Sequence, residues 1–131
     1  MQQSPVDTQI RVMDLFAGPG GLGEGFATFE LPSGHRPFRI IASIEKDPTA
    51  CRTLRLRSFY RRLTQAGDQS ALDIYYAYVQ GERESPIDPN SPVAKTAWQQ
   101  ANQEVLEQTL GEPETDSVLQ EVIGRAGISS K

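Results

Sequence analysis

The sequence is poor in the residues that build disulfides, metal centres and membrane spans. Its 131 residues include one cysteine, Cys51, and one histidine, His35. A single cysteine excludes an internal disulfide, and one cysteine with one histidine argues against a zinc site. No apolar run approaches the roughly 18 residues of a membrane-spanning helix, so we expect no membrane partner. The polar first ten residues do not resemble a signal peptide, which favours a cytoplasmic protein.

Apolar residues are also scarce, at 37% of the chain, which is below the usual share for a globular domain. The core should therefore be small, or be completed by another part of the protein. The net charge of -4 argues against tight DNA binding by this chain alone. Five arginines nevertheless crowd one expected helix: Arg52, Arg55, Arg57, Arg61 and Arg62. We interpret them mainly as a solvated or acid-paired face, with phosphate binding as the alternative.

What the sequence does contain is a glycine-rich turn between a short apolar strand and a helix. Residues 14–26 read DLFAGPGGLGEGF. Each glycine costs a helix about 1 kcal/mol relative to alanine, so this accumulation indicates a backbone that needs positive φ or a close approach to a ligand. The spacing Gly18-x-Gly20-x-x-Gly23 fits the dinucleotide fingerprint, and Glu45 lies 22 residues further on, where a ribose-binding carboxylate is expected. The pattern predicts an adenosine-type cofactor; a turn that merely packs a helix on a sheet is the alternative.

The hydrophobic pattern around this turn predicts an α/β fold. A strand over 11–16 and a strand over 38–45 are each followed by a helix. The second helix begins with Asp47 as N-cap and Pro48 at its first position, and extends to about residue 63. The first helix should bury a face formed by Leu22, Phe26 and Phe29. This β-α-β-α start is that of an incomplete Rossmann-like fold.

The rest of the chain changes character. We expect a disordered lead-in over 1–9, a cofactor-binding half over 10–63, and a helical insertion or extension over 64–131. Three helices are predicted in the last region, the second from Ser91-Pro92 to Gly111 and the third from Asp116, with no third strand. Because a two-stranded sheet leaves both edges unpaired, we expect a fragment or one half of a split protein. The isolated chain should self-associate through a sheet edge.

The glycine turn and the end of the second strand resemble two motifs of the DNA cytosine-5 methyltransferases. Asp14 to Phe26 (DLFAGPGGLxxGF) is similar to the first motif, and Glu45-Lys46-Asp47-Pro48 is similar to the second. The resemblance covers residues 11 to about 63, under half of the chain. It implies a Rossmann-like sheet that binds S-adenosylmethionine. In the complete enzyme it implies methylation at C5 of a cytosine flipped out of DNA.

The resemblance also implies a role for each matching residue. Phe16 would pack against the adenine or the methionine arm, and Asp14 would lie near the amino group of the cofactor. Glu45 would accept hydrogen bonds from both ribose hydroxyls. The methionine end would be lined or flanked by Ala17, Gly18, Pro19, Gly20, Gly21 and Leu22. Lys46 stands where relatives often have an apolar residue against adenine, although its methylene stem could pack there.

The nucleophile of that family, the cysteine of a Pro-Cys motif, has no counterpart in this sequence. Cys51 falls one turn into the expected second helix, so we interpret it as a structural residue and assign no catalytic residue. The chain alone should be inactive, with DNA bound by the complete enzyme. Two alternatives remain: the start of an NAD- or FAD-binding oxidoreductase domain, and a non-catalytic interaction module. The Phe16-Ala17 pair before the glycines favours the methyltransferase.

Overall fold

The computed structural model describes residues 9–127. Its elements, in chain order, are β1 (Ile10–Leu15), α1 (Gly21–Thr28), β2 (Phe38–Glu45), α2 (Pro48–Ala66), α3 (Gln69–Val79), α4 (Pro92–Glu104), β3 (Val105–Glu107) and α5 (Pro113–Arg125). The three strands form one parallel sheet in the order β1-β2-β3. This α/β arrangement is compatible with part of a Rossmann-like methyltransferase fold. The expected lead-in lies outside the described residues, apart from Gln9.

The helix starts predicted from local sequence are confirmed. The Asp47 carboxylate accepts the Ala50 backbone N–H at 2.9 Å, and Pro48 is the first residue of α2. The Ser91 hydroxyl accepts the Ala94 backbone N–H at 3.0 Å at the start of α4. Both contacts satisfy amides that a helix leaves unpaired in its first turn. A cap involves only three or four neighbouring residues, which is why it can be predicted without the tertiary fold.

The buried face of α1 differs from the prediction. Leu22 is 70% exposed, while the helix buries Gly23 and Ala27 instead. Phe26 is half-buried, and its ring stands edge-on to that of Phe38 at 5.0 Å. Small side chains face inward, so the helix backbone can lie close to its neighbours. The apolar spacing of the sequence therefore indicated the wrong face.

The third strand is the main correction to the sequence analysis. We expected α4 to continue to Gly111, but it ends at Glu104 and Val105–Glu107 pairs with Ser43–Glu45 of β2. A three-residue strand is too short to show alternation, and Val105 continues the helical spacing of the preceding alanines. The region 64–131 is therefore not purely helical, and the sheet has three strands.

The last helix also begins earlier than predicted. Glu112 is the N-cap of α5 and Pro113 its first residue, so Asp116 lies within the first turn rather than at the cap. Proline is favoured at the first helical position because its missing N–H would be unpaired there anyway. The predicted start at Asp116 did not take Pro113 into account. No helix in the described part of the chain is long and apolar enough to cross a membrane.

The buried core includes two clusters of unequal size. The larger lies among α2, α3 and α4: Phe59, Leu63, Ala71, Leu72, Ala94, Ala97 and Ala101. The smaller lies beside the glycine-rich turn: Ala17, Cys51, Leu54 and Val105. The larger cluster is therefore formed by the helices after β2. The turn is supported by few apolar contacts.

Candidate functional site

The parallel pairing of β1 and β2 brings the glycine turn next to Glu45. Asp14 pairs with Ser43 in the sheet register, and the Ala17 N–H donates to the Ile44 carbonyl at 2.9 Å. The turn therefore leaves β1 at the same edge of the sheet at which β2 ends. Open parallel sheets bind ligands at this carboxyl edge. The two sequence signals, 22 residues apart, are neighbours in space.

The carboxylate of Glu45 is held by three backbone amides. Its Oε2 accepts the Gly18 N–H at 2.8 Å, and its Oε1 accepts those of Lys46 and Asp47 at 2.8 and 2.9 Å. The Asp47 amide, and then the Gly18 amide, lower the pKa of Glu45 from its usual range. The group is therefore ionised at neutral pH. A carboxylate offers about four lone-pair sites, so Oε2 keeps capacity for a hydroxyl donor.

Phe16 has an unusual backbone and an unusual exposure. Its φ is 60°, and among residues 9–127 it is the one non-glycine residue with positive φ. Its side chain is 79% exposed. Left-handed backbone costs an ordinary residue roughly 1–2 kcal/mol. An exposed aromatic ring held in this conformation at the carboxyl edge provides a flat surface against which a ligand ring could pack.

Glycine occupies the positions of the turn for different structural reasons. At Gly20, where φ is 94°, an added Cβ would lie 2.6 Å from the Leu54 side chain of α2. Left-handed backbone and this close contact therefore both favour glycine at position 20, whether or not a ligand binds. Gly18 has a φ of 55°, but a Cβ there, or at Gly21, would meet no described atom within 4 Å. The space beside these two residues is open.

Asp14 is a buried carboxylate with unused hydrogen-bonding capacity. The residue is 9% exposed, and its Oδ2 atom has no hydrogen-bond partner among the residues that the structure describes. Burial raises the pKa of Asp14, and the Gly23 backbone amide offsets part of that rise. A Cβ on Gly23 would lie 3.0 Å from Oδ2. A buried acceptor without a donor is costly, and a ligand N–H would satisfy it.

The remaining predicted site residues belong to the glycine turn, the start of α1 and the residue after β2. Pro19, Leu22 and Lys46 are exposed, and Ala17 is buried. Nothing in the structure tests the ligand contacts assigned to the ten residues, so those contacts stay predictions. Together, these residues suit a ligand that carries an aromatic ring, hydroxyl groups and an amine. Asp14 would accept from the amine, Phe16 would pack against the ring, and Glu45 would accept from a hydroxyl.

The sequence analysis missed two residues at the same edge. Glu107 pairs with Glu45 in the register of β2 and β3, and the Gln108 N–H donates to the Glu45 carbonyl at 3.0 Å. Arg55 lies 3.7 Å from the Glu107 carboxylate. As site residues, Glu107 was missed because β3 was missed, and Arg55 because it was interpreted only as part of the solvated or acid-paired face of α2. All three strands thus bring a carboxylate to the carboxyl half of the sheet.

Cys51 lies inside the fold, near the start of α2. The residue is fully buried, and its thiol donates to the Glu45 carbonyl at 3.3 Å. Burial raises the pKa of the Cys51 thiol, which opposes formation of the nucleophilic thiolate. Within residues 9–127, no group of three or more His, Cys, Asp or Glu side chains could hold a metal ion.

A sequence similarity accompanies this geometry. The chain is 40% identical over 68 residues to the Type II methyltransferase M.Bpa9945I of Bacillus paralicheniformis (strain ATCC 9945a / NCIMB 11709 / CD-2). The similar stretch is 52% of this chain and 13% of that protein, so the chain spans a small part of its relative's length. The chain matches no family model and no solved structure. The similarity supports a relationship to methyltransferases.

Proposed function

We propose that this chain is the S-adenosylmethionine-binding N-terminal part of a DNA cytosine-5 methyltransferase. The observation that carries the proposal is the Glu45 carboxylate, fixed by the Gly18 amide at the carboxyl edge of a parallel sheet. The similarity to a Type II methyltransferase supports the methyltransferase part of the proposal. Without a Pro-Cys motif, the chain alone would transfer no methyl group.

Glu45 would read the ribose of the cofactor. Its carboxylate is oriented before any ligand arrives, because the Gly18, Lys46 and Asp47 amides hold both oxygens. Such preorganisation lowers the entropy lost on binding. Ionised carboxylates also form stronger hydrogen bonds to hydroxyl donors than neutral acceptors do.

The other proposed contacts with the cofactor follow from the exposure and charge of the side chains. The exposed ring of Phe16 would pack against the adenine or the methionine arm, and the stem of Lys46 would cover adenine. Asp14 would accept from the cofactor's amino group. The methionine end would lie along the turn and its flanks: Ala17, Gly18, Pro19, Gly20, Gly21 and Leu22. When bound, the cofactor supplies the methyl group.

DNA would be bound by the complete enzyme, in the cytoplasm. A further segment, in a longer chain or on a second chain, would contribute the nucleophilic cysteine. Its thiolate would add to C6 of the flipped cytosine and make C5 nucleophilic. This chain supplies the cofactor site and not the reacting cysteine.

Isothermal titration calorimetry of the full chain tests the proposal, with S-adenosylhomocysteine and NAD as the two ligands. We expect saturable heat with S-adenosylhomocysteine and none with NAD. Glu45→Gln should weaken the affinity by about ten-fold or more, because a charged hydrogen-bond acceptor contributes about 1.5–3 kcal/mol. Glu114→Gln, an exposed carboxylate on α5, is the matched control and should leave the affinity unchanged. Binding of NAD without S-adenosylhomocysteine would favour the oxidoreductase alternative and contradict the proposal.

A further inference from the structure

One arginine of α2 joins two carboxylates from different parts of the fold. Arg61 Nη1 donates to Oε1 of Glu24 in α1, and Nη2 donates to Oε1 and Oε2 of Glu104 at 2.8 and 3.0 Å. Glu104 ends α4, directly before β3, and is 6% exposed; the Arg61 side chain is 11% exposed. We refer to Glu24, Arg61 and Glu104 as the Arg61 bridge.

The two ends of the Arg61 bridge are anchored unequally. Glu104 also accepts the Ser58 hydroxyl at 3.0 Å and Arg62 Nη2 at 2.8 Å. Its position therefore does not depend on Arg61 alone. For the Glu24 carboxylate, Arg61 is the one partner in the described part of the chain. Loss of Arg61 would thus free the α1 end of the bridge while other donors hold the α4 end.

Helix α1 needs such an anchor because its own sequence is a weak helix former. It has eight residues, including Gly21, Gly23 and Gly25, and its N-cap Gly20 has no side chain to cap an amide. Short, glycine-rich helices depend on tertiary contacts for their stability. The Glu24 N–H donates to the Gly20 carbonyl at 2.9 Å. A restraint on Glu24 is therefore a restraint on the glycine turn.

We propose that Arg61 is a positioning residue for the glycine turn. By holding Glu24 against the firmly anchored Glu104, it fixes the first turn of α1 relative to the helices that follow β2. Those helices hold the larger hydrophobic cluster, so the bridge ties a weakly supported turn to the best-packed part of the fold. Any effect of Arg61 on cofactor affinity rests on the proposed function. The positioning role itself does not.

Amide hydrogen exchange on the full unliganded chain tests this role, with Arg62→Met as the matched control for Arg61→Met. Arg62 also binds Glu104, but its other partners are Ser58 and Gln100 rather than α1. In Arg61→Met, the Gly20 and Glu24 amides should exchange about ten-fold faster relative to α2 amides. In Arg62→Met, the exchange rates of the Gly20 and Glu24 amides should stay unchanged relative to those of α2 amides. Equal acceleration at the turn in both variants, or none in Arg61→Met, would overturn the proposal.

Glu24→Gln keeps the inference testable if Arg61→Met fails to fold. This substitution removes the charge on the α1 side and leaves the contact between Arg61 and Glu104 in place. We expect faster exchange at Gly20, with an unfolding midpoint close to that of the parent chain. Unchanged exchange there would refute the positioning role. If exchange changes as expected but S-adenosylhomocysteine does not bind, the positioning role stands and the proposed function fails.

Discussion

At the residue scale, two carboxylates at the carboxyl edge are shifted in opposite directions. Backbone amides, that of Asp47 first, lower the pKa of Glu45, whereas burial raises the pKa of Asp14. Environments that shift the pKa values of acidic side chains apart are common at functional sites. The two shifts lead to opposite dependences of stability on pH.

Glu45 should contribute to acid sensitivity. Because its pKa is lowered in the folded state, its stabilisation is complete above its unfolded pKa of about 4.3 and is lost as the pH falls through the folded value. Glu45→Gln should flatten the decline in the free energy of unfolding between about pH 5 and about pH 3. Urea denaturation across this range measures the effect. An identical decline in both proteins would show that the amide contacts do not favour the ionised form.

Asp14 should show the opposite behaviour. Its raised pKa means that its stabilisation is complete below its unfolded pKa, about 3.9, and is lost as the pH rises through the folded value. Asp14→Asn removes the charge that burial disfavours, so the free energy of unfolding at neutral pH should rise. Affinity for S-adenosylhomocysteine should fall, because the amine contact weakens. Urea denaturation and calorimetry measure the two quantities, and a destabilised variant would contradict this account of Asp14.

At the scale of elements, the contact between the glycine turn and α2 decides which glycine is indispensable. Gly20→Ala would place a Cβ 2.6 Å from Leu54 at a φ of 94°. Overpacking and left-handed backbone together should lower the free energy of unfolding by about 2 kcal/mol or more. Gly18→Ala is the matched control, because Gly18 also has a positive φ, of 55°, while its Cβ would meet no described atom within 4 Å. Equal effects of the two substitutions in urea denaturation would show that α2 does not restrict the turn.

The elements also show how far the sequence could predict this fold. Asp47 was recognised as a cap, and Ser91-Pro92 as a helix start, because both signals depend on neighbouring residues. The proximity of Gly18 and Glu45 followed from parallel topology, which the strand and helix order implies. Val105 was assigned to a helix because its strand exists only through pairing with β2. Leu22 was placed on the wrong face because the close packing of small residues is a tertiary property.

At the scale of the whole molecule, β1 and β3 are the edges of the three-stranded sheet within residues 9–127. Ile10 and Leu15, at the two ends of β1, are 58% and 48% exposed. Exposed apolar edge strands favour pairing with another chain. We therefore keep the expectation of self-association and assign it to β1, the edge on which these two side chains lie.

Static light scattering over a concentration series tests the self-association. The apparent mass should rise with concentration, and Ile10→Lys should suppress the rise because a lysine on an edge strand opposes pairing. Val93→Lys, at an exposed apolar position on α4, is the matched control and should associate like the parent chain. A monomer at every concentration would refute association through the sheet edge.

The claim that the carboxyl edge of this sheet binds S-adenosylmethionine is tested most directly by an amide NMR titration of the full chain with S-adenosylhomocysteine. Chemical shifts detect weak binding and locate it. We expect saturable changes at Gly18, Lys46 and Asp47, whose amides contact Glu45, and little change in α5. Saturable changes confined to other regions, or none at millimolar ligand, would contradict it.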